Sequence, residues 1–380
     1  MEQQKRAKQY ETIKIIIKVS ETVLSFIILF GFVMSAGSAQ LRDWVQGVFI
    51  NPYMQLLLFS AIIGGFFFLI TFPLSFVSGY LLEHRYQLSN QKLVGWLWEK
   101  VKSMVVGLIL FVPILLIFYY LLRTFPDLWW LLLGGILFVF SLAIGRIAPQ
   151  VIFPLFYKFD SLEDDTIQDK MHRLARKGNF ALEGVYRFNM SKTTKKANAA
   201  FTGLGKSKRI IIGDTLLDSF SPDEIETVLA HEVGHFVHKH IWISLIVSTI
   251  ITFLSLFAAH VVYQELIGQF NFNGTADLAA LPLLSIIMSI LALITTPLTN
   301  LLSRKHEWQA DRYALEHSTA PQAFPQALKK LSDINLADQK PHPLVEFLFH
   351  SHPAIQKRID VAEQNLKNKG IVVDSNETVT

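Results

Sequence analysis

The residues that could do chemistry begin with His231-Glu232-Val233-Gly234-His235. On a helix, positions four apart share a face, so both imidazoles can reach one metal ion. Glu232 is the neighbour able to take a proton from a water at that ion. The chain has no cysteine, so a transition metal must be held here by His and carboxylate. A catalytic zinc takes three protein ligands and keeps one position open. Candidates for the third lie in Ser303-Arg304-Lys305-His306-Glu307-Trp308-Gln309-Ala310-Asp311. Glu307 and Asp311 are four apart and share a face. Asp311 could accept a hydrogen bond from the free ring nitrogen of a ligand His, which fixes tautomer and orientation. His306 is a competing ligand, about 100° around the same helix. Taken alone, Glu307 reads equally well as a solvated helix charge, while coincidence is only the minor reading of the His pair.

These residues must be positioned by a largely apolar chain. It is 51% hydrophobic and 17% charged, where soluble domains carry about a quarter charged residues. The balance indicates a membrane protein, and the 30 phenylalanines suit lipid-facing helices. A net charge of +4, scattered along the chain, gives no case for nucleic acid as a partner. Six apolar runs approach the roughly 20 residues needed to span a bilayer: 19–39, 54–82, 104–122, 128–144, 241–263 and 281–302. The first reads as a transmembrane helix rather than a cleaved signal peptide. Pro73 should kink or tilt the second. The third and fourth form a helical hairpin.

The expected fold class is therefore mainly α: a polytopic membrane protein with about six transmembrane helices and a small α+β catalytic domain. Residues 1–155 form an N-terminal membrane domain with four spans. Residues 156–380 form the metal-binding domain and include the last two spans. A helix is expected over 169–177, and strands over 184–189 and 209–212. Ser221, Pro222 and Glu224 make an N-cap, a first helical proline and a capping box. Lys5, Arg6, Lys8, Lys14 and Lys18 precede the first span, and Arg85, Lys92, Lys100 and Lys102 follow the second. The opposite loops carry only Arg42 and Arg123. The excess places the N-terminus, both polar stretches and the C-terminus in the cytoplasm. The helix of His231 and His235 is expected to run unbroken into the fifth span, with His235 about 9 Å from its start. Glu307 lies about 7.5 Å beyond the sixth. The ligands would thus meet just above the cytoplasmic membrane surface.

Together these motifs resemble the type I CAAX prenyl protease family of integral-membrane zinc metalloproteases. The resemblance covers most of the chain and rests on H-E-x-G-H with the later S-R-x-x-E-x-x-A-D. It implies a zincin-like catalytic domain, one zinc ion per chain, Glu307 as third ligand, and Asp311 as support for a ligand His. Ala197-Asn198-Ala199-Ala200-Phe201, followed by Lys208-Arg209-Ile210-Ile211, resembles the family's substrate-binding edge strand, which implies that Asn198 and Ala199 pair with the peptide backbone. Residues 83–91 resemble a cytoplasmic loop of the N-terminal domain. Ser351-His352-Pro353-Ala354-Ile355-Gln356-Lys357-Arg358-Ile359 matches an H-P-x-x-x-x-R segment, which implies that His352 and Arg358 face the substrate carbonyl and stabilise the transition state. The family's eukaryotic members have seven spans; here there are six, and Ala354 replaces a second proline.

The implied activity is peptide-bond hydrolysis with Glu232 as general base. The implied substrate is a peptide or membrane protein in the bilayer, prenylated or not. The setting is the plasma membrane in a bacterium and the endoplasmic reticulum in a eukaryote. Related HtpX heat-shock proteases offer quality control of membrane proteins as an alternative. A transporter or scaffold with a stabilising metal is a second alternative, but it has no use for Glu232. Other residues take plainer readings: His238 and His240 as interfacial polar residues, His350 as surface or packing, Trp96 and Trp98 as an interface belt, Asn300 as a capping or helix-contact residue, and the glycosylation-like Asn376-Glu377-Thr378 as chance.

Overall fold

The computed structural model describes residues 2–178, 180, 182–202 and 209–371. Lys208 of the second strand motif and Asn376 lie outside the described residues. Six helical stretches are long and apolar enough to cross a membrane: Glu2–Met34, Pro52–Arg85, Leu93–Thr124, Trp129–Leu155, His240–Gln269 and Leu278–His317. They match the six expected spans, with longer polar extensions.

The N-terminal part begins with α1 (Glu2–Met34). The apolar run was expected to span to residue 39. The helix instead ends where Ala36 turns left-handed (φ 57°), and α2 (Gly37–Val48) follows. A side chain in that region costs about 1–2 kcal/mol, so surrounding contacts must hold the turn. α3 (Pro52–Phe76) is opened by Asn51, whose side chain accepts from the Tyr53 and Met54 amides, with Pro52 at the first helical position. Pro73 does not end the span. A wide π-type turn, Val77–Leu81, carries it into α4 (Leu82–Arg85). α5 (Leu93–Thr124) and α6 (Trp129–Ile147) form the expected hairpin. Trp98 is exposed, as a belt residue should be, but Trp96 is only 5% exposed. It is packed among Phe72, Phe76 and Tyr80, so its role is to join two helices.

The rest of the chain carries a four-stranded sheet of order β1-β2-β4-β3. Its strands are β1 (Phe159–Ser161), β2 (Gly184–Phe188), β3 (Ala199–Thr202) and β4 (Arg209–Gly213). β2 and β4 are parallel and the other pairs antiparallel. This leaves β3 at an edge, where the motif Ala197–Phe201 was expected. α7 (Asp165–Lys177) lies between β1 and β2 in the chain and is capped by Asp164. α8 (Asp214–Ser219) and α9 (Pro222–Val237) follow β4, and the Ser221–Glu224 capping box is formed. α10 (His240–Gln269) and α11 (Leu281–His317) are the last two spans. α12 (Ala323–Asn335), α13 (Pro343–Phe349) and α14 (Ile355–Asn368) are the last helices among the described residues. Met171, Leu174, Ile210, Ile212, Leu229, Ala314 and Phe324 are among the residues that bring sheet and helices into one core.

One expectation fails here. α9 does not continue into α10. Lys239 adopts a left-handed conformation (φ 57°, ψ 31°), and a new helix begins at His240. α9 is therefore free to lie across α11. At the crossing, a Cβ on Gly234 would meet Ala310 Cα at 2.9 Å and Tyr313 Cβ at 3.0 Å. The two backbones approach as closely as only glycine allows.

Gly234→Val tests that contact. Overpacking against backbone costs about 1–3 kcal/mol, more than the few tenths that a better helix former returns. The variant should unfold at lower temperature in detergent and retain less metal. Unchanged values on both measurements would mean that the helices have room to spare.

Candidate metal centre

α9 and α11 bring the chemistry together. Leu229, Ala230 and Val233 of α9 are fully buried, which fixes the rotation of the helix and points His231 and His235 into a cleft beside α11. His231 Nε2 and His235 Nε2 are 3.1 Å apart. Glu307 Oε2 is 3.4 Å from the first, and Glu307 Oε1 is 3.3 Å from the second. All three donor atoms lie within 4.8 Å of one another. His306, the competing candidate, turns away and stacks on His240 at 4.0 Å.

This donor set fits a zinc ion. Zinc binds His nitrogen and carboxylate oxygen at about 2.0–2.2 Å with tetrahedral geometry, so neighbouring donors should be separated by about 3.3 Å. The observed edges are 3.1, 3.3 and 3.4 Å. The protonation pattern agrees. Asp311 Oδ1 lies 2.8 Å from His231 Nδ1, so that nitrogen carries the hydrogen and Nε2 offers its lone pair. Glu307 Oε2 is buried and accepts no well-aligned hydrogen bond among the described residues. Burial disfavours a charged His231, but the neighbouring Asp311 and Glu307 carboxylates outweigh it and hold the imidazole up at about 9. The cleft therefore calls for positive charge at the point where the donors meet.

Arg358 and His352 complete the surroundings. Arg358 Nε donates to Asp311 Oδ2 at 2.9 Å and Nη2 to Asp311 Oδ1 at 2.6 Å. Burial opposes its charge, yet the pairing with Asp311 keeps the guanidinium firmly protonated. Its Nη1 faces Glu307 Oε2 at 3.3 Å. Most of this side chain is thus turned to Asp311, one step removed from His231. His352 Nδ1 lies 2.8 Å from Glu307 Oε2, and its side chain is 62% exposed at the rim. A cleft of about 390 Å³ joins Asn198, Ala199, Glu232, Glu307, His352 and Arg358.

Some contributors gave no signal in the sequence. Glu11 of α1 lines the same cleft, with Oε1 2.9 Å from His350 Nε2. His240 Nδ1 is 2.9 Å from His235 Nδ1. An unbroken helix would have kept those two rings apart, so only the break at Lys239 reveals the contact. Asn300, by contrast, bonds the Leu348 carbonyl at 3.1 Å, a plain helix contact.

The membrane helices and the His–Glu centre together define an integral-membrane zinc metalloprotease. The chain belongs to peptidase family M48, whose sequence pattern matches residues 161–366. Residues 1–158 match the CAAX prenyl protease N-terminal region, which is described as having five membrane helices. Four of the six candidate spans fall within that match. The chain is 30% identical to an uncharacterized metalloprotease of Bacillus subtilis, over 94% of this chain and 85% of that one. It is 32% identical to CAAX prenyl protease 1 of Saccharomyces cerevisiae, over 84% and 75%. The fold resembles the crystal structure of S. mikatae Ste24p with a TM-score of 0.84 and 26% identity, covering 95% of this chain and 89% of that one.

Asp311→Asn tests the link from Arg358 to His231. The change is nearly isosteric, so the fold should survive. Metal retention or activity should fall by about 10–100-fold, the usual loss for such a partner. Full zinc content and full turnover in the purified variant would reduce Asp311 to a structural charge.

Proposed function

We propose that His231, His235 and Glu307 hold one zinc ion per chain, and that Glu232 is the general base for peptide-bond hydrolysis. The observation that carries this reading is the convergence of three donor atoms within 4.8 Å on a cleft that Glu232 also lines. A zinc ion held there would supply Lewis acidity, enough to bring the pKa of a water down to about 7. Glu232 accepts a proton from the attacking water and delivers it to the leaving amine. His352 at the rim and Nη1 of Arg358 supply donors to the carbonyl oxygen as it gains charge. Arg358 also works through Asp311, which holds His231 in its ligating tautomer. Asn198 and Ala199 hold the peptide extended along the edge of β3, a backbone mode that tolerates many sequences.

The substrate is a peptide or membrane protein presented at the bilayer. The similarity to proteins named CAAX prenyl protease 1 supports cleavage near the C-terminus of a prenylated chain. The Bacillus relative, named only as a metalloprotease, leaves membrane-protein quality control as the second reading. Residues 1–155 act as the membrane domain and 156–380 as the protease domain. The distribution of Lys and Arg supports a cytoplasmic N-terminus, active site and C-terminus, in the plasma membrane of a bacterium or the endoplasmic reticulum of a eukaryote.

Orientation can be read by labelling, because the chain has no cysteine of its own. Ile50, 99% exposed between α2 and α3, lies on the proposed outer side. Ile50→Cys should react with an impermeant thiol reagent in intact cells, and Lys369→Cys only after permeabilisation. The reverse pattern would invert the topology.

The catalytic assignment is tested by comparing two variants. Glu232→Gln keeps size and polarity but removes the base. It should bind zinc at about one ion per chain while cleavage falls at least about 100-fold. His235→Ala should lose both zinc and cleavage. Undiminished cleavage by Glu232→Gln would remove the mechanism, and loss of zinc from it would make Glu232 a ligand.

A further inference from the structure

His231 and His235 are oriented from behind by quite different partners. A carboxylate, Asp311, fixes His231. Among the described residues no carboxylate is bonded to His235 Nδ1, which faces His240 Nδ1 at 2.9 Å. Two ring nitrogens at that distance must be one donor and one acceptor. The far side of His240 decides which is which. His240 Nε2 lies 2.8 Å from Gln309 Oε1, and a carbonyl oxygen only accepts. Nε2 of His240 therefore carries the hydrogen and its Nδ1 is the bare acceptor. His235 must then donate from Nδ1, which leaves its Nε2 lone pair pointing at His231 Nε2 and Glu307. Turning the Gln309 amide over would reverse every step. Its NH₂ would donate to His240 Nε2, His240 would donate to His235, and the hydrogen of His235 would sit on Nε2, where no metal could bind.

The remaining contacts hold His240 in place. Its ring is buried and lies parallel to His306, with centroids 4.0 Å apart and planes 8° apart. Gln309 and His306 flank Glu307 on α11. The helix that supplies the third ligand thus also orients the second. The break at Lys239 completes the arrangement. In an unbroken helix His240 would sit about 7.5 Å along and about 140° round from His235, out of reach. The left-handed turn at Lys239 folds the chain so that the two rings meet.

We propose that Gln309 and His240 are positioning residues that form a relay, Gln309 to His240 to His235, which locks His235 in its metal-binding tautomer. The proposal rests on His235 being a ligand. It adds that the break between α9 and α10 delivers the residue that makes it one.

The test measures zinc affinity in the purified full-length protein, by competition with a chromophoric chelator, alongside the unfolding temperature of the metal-free protein. His240→Phe keeps the ring and its stack on His306 but removes the acceptor. Zinc affinity should fall by about 10–100-fold, with the metal-free unfolding temperature unchanged. Gln309→Met removes the far acceptor and should lower affinity in the same direction, whereas Gln309→Glu restores a carbonyl-type oxygen and should recover most of the loss. A purely structural role predicts the opposite: a lower metal-free unfolding temperature and unaltered affinity. If His240→Phe misfolds, the two Gln309 variants decide alone. His235→Ala separates the two levels. If it binds zinc like the wild type, the ligand assignment itself is wrong. If it loses zinc while His240→Phe and Gln309→Met stay within about twofold of wild type, the ligands stand and the relay is overturned.

Discussion

A carboxylate removed from water must be compensated where it stands. Glu307 is only 3% exposed, and its compensation comes from three separate pieces of chain. α9 brings His231 and His235, the segment between α13 and α14 brings His352, and α14 brings Arg358. One helical turn further along, Asp311 is buried too. Two negative charges on one face of α11 would repel each other and lose hydration. Arg358, charged at any working pH, spans both with one planar group. The tertiary arrangement at the cleft is therefore what keeps these two carboxylates ionised inside the protein.

This electrostatic demand sets tight mechanical conditions. The histidines reach Glu307 only because α9 and α11 cross without a side chain between them at Gly234. That crossing needs α9 to leave the direction of α10, which is why the chain breaks at Lys239. An uninterrupted helix from the catalytic domain into the membrane would be cheaper in backbone terms, since a left-handed non-glycine residue costs about 1–2 kcal/mol. The break persists because contacts on both sides repay it, among them the His240 stack on His306 and the His235–His240 contact.

Much of this could be read in the sequence, for identifiable reasons. Long apolar runs have few alternatives to membrane helices, and Ser221, Pro222 and Glu224 are local signals of a helix start. The His231–His235 spacing depends only on helical period. The motif around Asn198 marked an edge strand through family resemblance. What stayed hidden depended on non-helical backbone or on partners far away in sequence. The turns at Ala36 and Lys239 leave no mark in composition, and neither residue type favours them. Trp96 sits at an interfacial position by sequence, but only the packing of α3 against α5 shows that it is enclosed. The Asp311–Arg358 pair lies between helices whose crossing no periodicity foretells, so the resemblance suggested a carbonyl-facing arginine without revealing how much of it is bound to Asp311.

The N-terminal spans are more than an anchor for this site. Leu88 accepts hydrogen bonds from the Lys195 amide and the Thr194 hydroxyl, each at 2.9 Å. Residues 88–90 thereby run beside the segment that leads into β3. Close by, Glu83 pairs with Lys14 of α1 at 2.8 Å and with Lys196 at 3.0 Å, while Tyr10 donates to the same carboxylate. Glu11, next along α1, accepts from the Asp338 amide at 2.7 Å and faces His350. A movement of the N-terminal spans away from the sheet would break all these contacts together and open one wall of the cleft. Because Lys196 and Asn198 are two residues apart, the same movement would also shift the start of the edge strand. Through these contacts the position of the N-terminal spans and the start of the edge strand are mechanically coupled.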